Sequence, residues 1–251
     1  MTSPSSPAGS RRDFLSGQVL RHPSDESAGI EDAELEIPRA GDTLRVQTRA
    51  MACQFAVFLD ADRRKDLAIA SDVLEDVHGL EASMTVYRAD SELSRVNALA
   101  ARQDVQLGQT LFDVVELACR IGRETDGAFD PTAGPLVALW RDCRVQGRVP
   151  ADHEIESARA RRGLEAVQLD RSTRSIRFDV AGIEINLGGV GKGFALDQIG
   201  RTLLAEDIEA WLVHGGHSSV LAHGTHAGQP GWPVGIRNPL FPARRLATIQ
   251  L

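Results

Sequence analysis

The chain has 251 residues, 42% hydrophobic and 25% charged, with a net charge of -7 and a pI near 5.5. That composition supports a sizeable globular core. It argues against general nucleic-acid binding, because an acidic chain gains nothing from neutralising phosphates. An anionic ligand would have to be held by local backbone N–H groups or by a metal.

Residues 1–40 are rich in Ser, Pro, Asp, Glu and Ala and read as a flexible leader, with the folded domain spanning 41–251. Ser10-Arg11-Arg12-Asp13-Phe14-Leu15 resembles a twin-arginine export motif. The apolar stretch that should follow is cut short by Arg21, His22 and Pro23. Cytoplasm and export to the cell envelope therefore both stay open. No run of about 18 apolar residues occurs, so no transmembrane helix is expected.

From Leu44 the pattern becomes periodic. Leu44–Gln47 and Phe55–Leu59 predict two strands around Met51-Ala52-Cys53. Residues 64–84 carry a helical apolar stripe, and Ser91 is placed to cap a short helix over Glu92–Asn97. A second stripe runs from Leu111 to Gly122, followed by a Gly-Pro-rich junction at Gly127–Pro135 and a short helix over Val137–Trp140. A polar helix is predicted over 152–165. Strand-like runs follow at Ala166–Leu169, Ser175–Phe178 and Ile183–Asn186. A glycine-rich turn then leads into a helix ending near Ala205. Strands over Ala210–His214, through Val220-Leu221 and over Trp232–Ile236 complete the series. Helices in the middle and strands in the second half make the chain α+β.

Cys53, Cys119 and Cys143 are odd in number and lack CxxC spacing, so they read as buried apolar thiols. His214, His217, His223 and His226 cluster within 13 residues, which leaves a histidine metal module as an alternative. Ser218 and Ser219 follow His217, but no GxSxG elbow supports a serine hydrolase.

The most informative stretch is Asn186-Leu187-Gly188-Gly189-Val190-Gly191-Lys192-Gly193-Phe194-Ala195-Leu196-Asp197. A strand, a glycine-rich turn and a helix start let backbone N–H groups approach a phosphate. By itself the turn also fits simple close packing, because it lacks GxGxxG spacing and has Gly193 where a P-loop needs Ser or Thr. The stretch resembles the D-L-G-G-I-A-K-G-Y-A-x-D signature of the ApbE family, the FAD:protein FMN transferases. Other segments match in order. Met51-Ala52-Cys53-Gln54-Phe55 resembles M-G-T-x-Y. Met84-Thr85-Val86-Tyr87 with Ser91-Glu92-Leu93-Ser94-Arg95-Val96-Asn97 resembles M-S-x-Y…S-E-L-S-R-x-N. Gly127-Ala128-Phe129-Asp130-Pro131-Thr132-Ala133-Gly134-Pro135-Leu136 resembles G-x-F-D-P-T-x-G-P-L. His214-Gly215-Gly216-His217 stands where the family has N-x-G-G-D, and Trp232-Pro233-Val234-Gly235-Ile236 resembles W-x-V-G-I.

The resemblance implies an α+β, ApbE-like (T-fold-like) fold of mixed sheets with packed helices, incomplete at the C-terminus. It implies an enzyme that uses magnesium to move FMN from FAD onto a Ser or Thr hydroxyl of an acceptor flavoprotein, or that hydrolyses FAD to FMN and AMP. Met51 and Tyr87 would pack around the ring systems, although a lone tyrosine also fits a core aromatic. Ala128, Phe129 and Asp130 would line the nucleotide cleft, Asp130 being equally a turn-forming aspartate. Gly189 would offer its carbonyl to magnesium, and Lys192 would lie near the phosphates.

The chain departs from the family at Asn186, where Asp is usual, and at His217, which replaces an Asp. Asn186 remains a candidate ligand contact with one charge fewer. Family members continue with H-x-x-D-P-x-T-G and an Asp-rich stretch that supplies metal ligands, whereas this chain ends at Leu251. The expectation is poor magnesium binding, impaired catalysis and unpaired sheet edges, with an FAD-binding protein that lacks transferase activity as the alternative.

Overall fold

A computed structural model describes residues 43–216, 218–241 and 243–251. The leader, its twin arginines and His217 lie outside the described residues. No helix among the described residues is long and apolar enough to cross a membrane.

Strands β1 (Thr43–Ala50) and β2 (Cys53–Asp60) form an antiparallel hairpin. Strands β6 (Trp211–Gly215) and β7 (Ser219–His223) extend it to a four-stranded sheet in the order β1-β2-β6-β7. Side chains alternate across a strand. Phe55, Val57 and Leu59 of β2, with Trp211 and Val213 of β6, therefore face helices α1 (Leu67–Met84) and α6 (Gly191–Ala205). Ala56, Phe58 and Leu212 point the other way, onto Trp232 and Val234. Both faces of β2 are thus apolar.

A second core gathers α2 (Glu92–Leu99), α3 (Gln109–Glu124) and a three-stranded sheet. Its strand order is β3-β5-β4, from β3 (Val105–Gln106), β4 (Val167–Asp170) and β5 (Ser175–Phe178). Met51 and Leu80 pack against both cores. Helices α4 (Gly134–Val145) and α5 (Asp152–Arg159) lie beside each other. Short strands β8 (Thr225–His226) and β9 (Gln229–Pro230) pair, as do β10 (Pro233–Arg237) and β11 (Arg245–Gln250). Helices and mostly antiparallel sheets side by side agree with the α+β expectation.

Three departures from the sequence reading have physical causes. The helix expected over 152–165 ends at Arg159, and the chain turns through Gly163 at φ 137°. The helix expected over Val137–Trp140 is longer, because Gly134-Pro135 starts it early with proline in its first turn. The strand expected over Ile183–Asn186 joins no sheet. Only Glu184 makes an isolated parallel bridge, to Ala133. Side chains and loops take its backbone groups instead. Asn97 Nδ2 donates to Ile185 O at 3.0 Å, and Ile185 N–H donates to Asn97 Oδ1 at 2.8 Å. Asn186 N–H donates to Pro131 O at 2.8 Å, and Gly134 N–H to Glu184 O at 3.2 Å.

The β1–β2 turn consists of Met51 and Ala52, at φ 50° and 57°. Positive φ at both positions is the type I′ two-residue hairpin turn, which favours Asn-Gly. Residues with a Cβ are strained there. Ala52 is exposed, so Ala52→Gly should raise stability by about 1 kcal/mol, measured by urea denaturation. A neutral or negative change would show the turn to be unstrained. Asn97→Ala should lower stability by about 3 kcal/mol, because it strands a buried N–H and a buried carbonyl of Ile185. A loss below about 1 kcal/mol would show that water replaces the amide.

Candidate functional site

The 184–189 segment enters its glycine turn already clamped on one side by Asn97 and on the other by the 130–134 loop. Asn186 Oδ1 accepts from Gly188 N–H at 2.9 Å and closes the turn. None of Gly188, Gly189, Gly191 and Gly193 has a positive φ. They are needed for space rather than for backbone conformation. A Cβ on Gly189 would sit 2.9 Å from Phe129 Cε2, so the Phe129 ring lies directly on the peptide at Gly189. A Cβ on Gly134 would collide with Glu184 O. The two glycine-dependent approaches hold the 129–134 loop and the 184–189 turn together. The glycine turn and the aspartate-proline bend thus meet.

Helix α6 begins at Gly191 without a side-chain cap. Gly191 N–H bonds to Leu187 O and Phe194 N–H to Val190 O. Among the described residues, the N–H groups of Lys192 and Gly193 meet no acceptor. These uncapped donors and the helix dipole make a cradle for an anion. Lys192 is half-buried at the same end, and no ion pair among the described residues includes it. Its charge reaches Cys53: burial raises the Cys53 thiol pKa, Lys192 lowers it in part, and Glu81 adds to the rise. Cys53 touches the space a Cβ on Gly216 would fill, at 3.1 Å. The start of α6, the β1–β2 turn, the 215–216 bend and the end of α1 therefore adjoin one another. Cys53 is only half-buried, unlike Cys119 and Cys143. The expectation of three buried thiols is corrected there.

The other expected residues are placed as follows. Met51 is half-buried in the turn that bridges the cores. Tyr87 is not a core aromatic: it is 73% exposed, and the Arg141 guanidinium lies 5.6 Å from its ring centroid. Met84, three residues earlier, lies against the start of α6, 3.9 Å from where a Cβ on Gly191 would sit. Ala128 is exposed beside the Phe129 ring. The Asp130 carboxylate is occupied. Its Oδ1 accepts from Thr132 N–H at 2.8 Å and Thr132 Oγ1 at 2.5 Å, and its Oδ2 pairs with Arg162 at 3.1 Å. Thr132 is fully buried and accepts from Gly163 N–H. Asp130 shapes the loop, and what it presents to the glycine turn is backbone and the neighbouring Phe129 ring.

The S-E-L-S-R-x-N match contains the Ser91 cap expected from sequence, and two supporting residues not assigned a role there, Glu92 and Asn97. Ser91 caps α2, accepting from Ser94 N–H at 3.0 Å, and donates to Thr85 O. Glu92 accepts from Gly108 N–H and Ser83 Oγ. Their spacing, a cap with an amide six residues on, was the only signal available.

Magnesium prefers near-octahedral oxygen coordination. Among the described residues no group of three or more His, Cys, Asp or Glu could hold a metal ion. The Asn186 amide oxygen is spent on Gly188, which leaves the Gly189 carbonyl as a single donor. These residues do not fit a magnesium site. Nor do the described histidines converge. His214 adjoins Phe58, His223 stacks on Trp211, and His226 stacks on Trp232 while Asp60 holds its Nδ1 at 2.6 Å.

Known proteins share the fold and parts of the sequence. The FAD:protein FMN transferase of Salmonella typhimurium is 35% identical over 161 residues, 62% of this chain and 45% of that protein. That of Vibrio cholerae is 32% identical over 180 residues, 70% of this chain and 52% of that protein. The chain spans about half the length of the curated relatives it matches. The crystal structure of the ApbE protein of Thermotoga maritima superposes with a TM-score of 0.75 at 26% identity, covering 84% of this chain and 68% of that one. The flavin transferase ApbE of Vibrio cholerae superposes at 0.69 and 24% identity, covering 83% and 68%, and shows the fold alone. The ApbE family model matches residues 44–251. By its ordered sequence segments, its ApbE-like fold and this match, the chain belongs to the ApbE family.

Proposed function

We propose that the chain binds FAD, with the diphosphate at the start of α6, and serves transfer of FMN from FAD to a Ser or Thr hydroxyl of an acceptor flavoprotein. The observation that carries this reading is the contact of Phe129 with Gly189 beside the uncapped N–H groups of Lys192 and Gly193. It puts an aromatic face and an anion cradle side by side, the two surfaces a flavin nucleotide needs. Lys192 contributes the local positive charge that an acidic chain otherwise lacks. Met51, Tyr87 and Ala128 supply apolar surface around the rings, and Asn186 and Asp130 hold the two loops in place.

The donor set favours a second reading for the residues described, an FAD-binding protein with little turnover. Holding FAD requires only the cradle and the rings, whereas breaking its diphosphate requires the charge neutralisation that a single carbonyl cannot organise.

Two measurements separate these readings. Lys192→Met should weaken FAD binding about tenfold, the worth of one charge-assisted hydrogen bond. Riboflavin, which has no phosphate, should bind both proteins equally. An equal loss for riboflavin would place Lys192 at the rings or in the fold rather than at the phosphates. FAD should also bind the unaltered chain equally in EDTA and in magnesium, and AMP should appear no faster than without protein. Magnesium-dependent AMP release, with flavin fluorescence transferred to an acceptor protein on a denaturing gel, would instead establish the transferase reading in full.

A further inference from the structure

Tyr87 is the chain's only tyrosine. With 73% of its surface exposed, it leaves a large apolar ring in water, an arrangement that favours a planar partner. Its position is tied to the cradle. Met84 touches the start of α6, and the three residues from Met84 to Tyr87 span at most about 11 Å. Its backbone is also fixed, since Tyr87 N–H donates to Thr85 Oγ1 at 3.2 Å and Thr85 O accepts from the Ser91 hydroxyl.

The ring meets the guanidinium of Arg141, 5.6 Å from the centroid. Arg141 reaches it from a different element. It lies seven residues into α4, about 10 Å along the axis from Gly134, which is packed against Glu184. Its Nε also donates to Asp142 Oδ1 at 3.2 Å, and its side chain is half-exposed. Guanidinium is flat and weakly hydrated, so it lies on an aromatic face more readily than a lysine ammonium does.

From this geometry we infer that Arg141 is a positioning residue for the flavin nucleotide: it backs one face of Tyr87 so that the other is presented to a planar ring. The inference rests on the proposed FAD site and adds to it a residue that lies between the family-like segments, after the one that ends at Leu136 and before the one that starts at Asn186. Arg141 acts through Tyr87. Its removal therefore matters only while Tyr87 is present.

The test is a double-mutant cycle on FAD affinity, read by flavin fluorescence. Arg141→Ala should weaken FAD about threefold, the scale of an exposed cation–π contact. Tyr87→Ala should weaken it about tenfold, the scale of one ring stacked on an aromatic. The double variant should equal Tyr87→Ala alone, and Arg141→Lys should fall between Arg141→Ala and the unaltered chain. Labelling with 3-fluorotyrosine gives a single fluorine resonance, which Arg141→Ala should shift in the free protein and FAD should shift in the unaltered one. Unchanged affinity in Arg141→Ala overturns the inference, as does a double variant with the two losses added. If Tyr87→Ala leaves FAD affinity unchanged, the inference falls together with the placement of the rings. If FAD does not bind at all, the proposed function has failed, and a fluorine line that still answers to Arg141→Ala shows that the pair exists without that role.

Discussion

The whole site hangs on a stretch of extended chain that has no sheet to belong to. Buried backbone groups must find partners, and residues 184–187 find theirs in an asparagine side chain, a proline carbonyl and a helix-start glycine. Asn97 acts as a strand one residue long. Pro131 and Gly134 bring the opposite loop close enough for Phe129 to rest on Gly189. Removing any of these leaves polar atoms stranded where water cannot easily reach, so the clamp is held by the penalty for opening it. The uncapped start of α6 follows as a by-product. The chain arrives in a fixed direction, turns on Asn186 and begins its helix with no side chain over the first N–H groups.

Much of this was legible in the sequence. The strand pairs, the helical stripes, the Ser91 cap and the glycine turn all leave periodic or positional marks. Ile183, Ile185 and Leu187 do alternate inward as a strand would. What the pattern does not carry is the identity of the partner, because an amide 88 residues away can satisfy a backbone as well as a neighbouring strand does. Strands of two residues such as β3, β8 and β9 are too short to show a period. All six residues of β11 are exposed, so that strand has no apolar face to betray it. Tyr87 and Asp130 show the limit for single residues. Each fitted two roles from sequence, and burial and bonding, which decide between them, are properties of the fold.

The chain's overall acidity also takes on meaning at the site. A net charge of -7 disfavours a dinucleotide at long range, and salt screens that repulsion within about 10 Å. Affinity must then come from short-range groups: two free N–H donors, a helix end and one half-buried lysine. Such groups select for geometry as well as for charge, since a donor pair fixed by a helix fits a phosphate only from one direction.

The two apolar faces of β2 have a last consequence. In a sheet with one wet face, a slip of one residue is punished at once, since every side chain changes sides. In β2 a slipped strand would still present greasy groups to both layers, and hydrophobicity alone barely distinguishes the two alignments. The ruler is then the loop between β1 and β2. Two residues forced into a left-handed bend admit one alignment of the arms, so the bend's strain stands guard over the order in which the core is assembled.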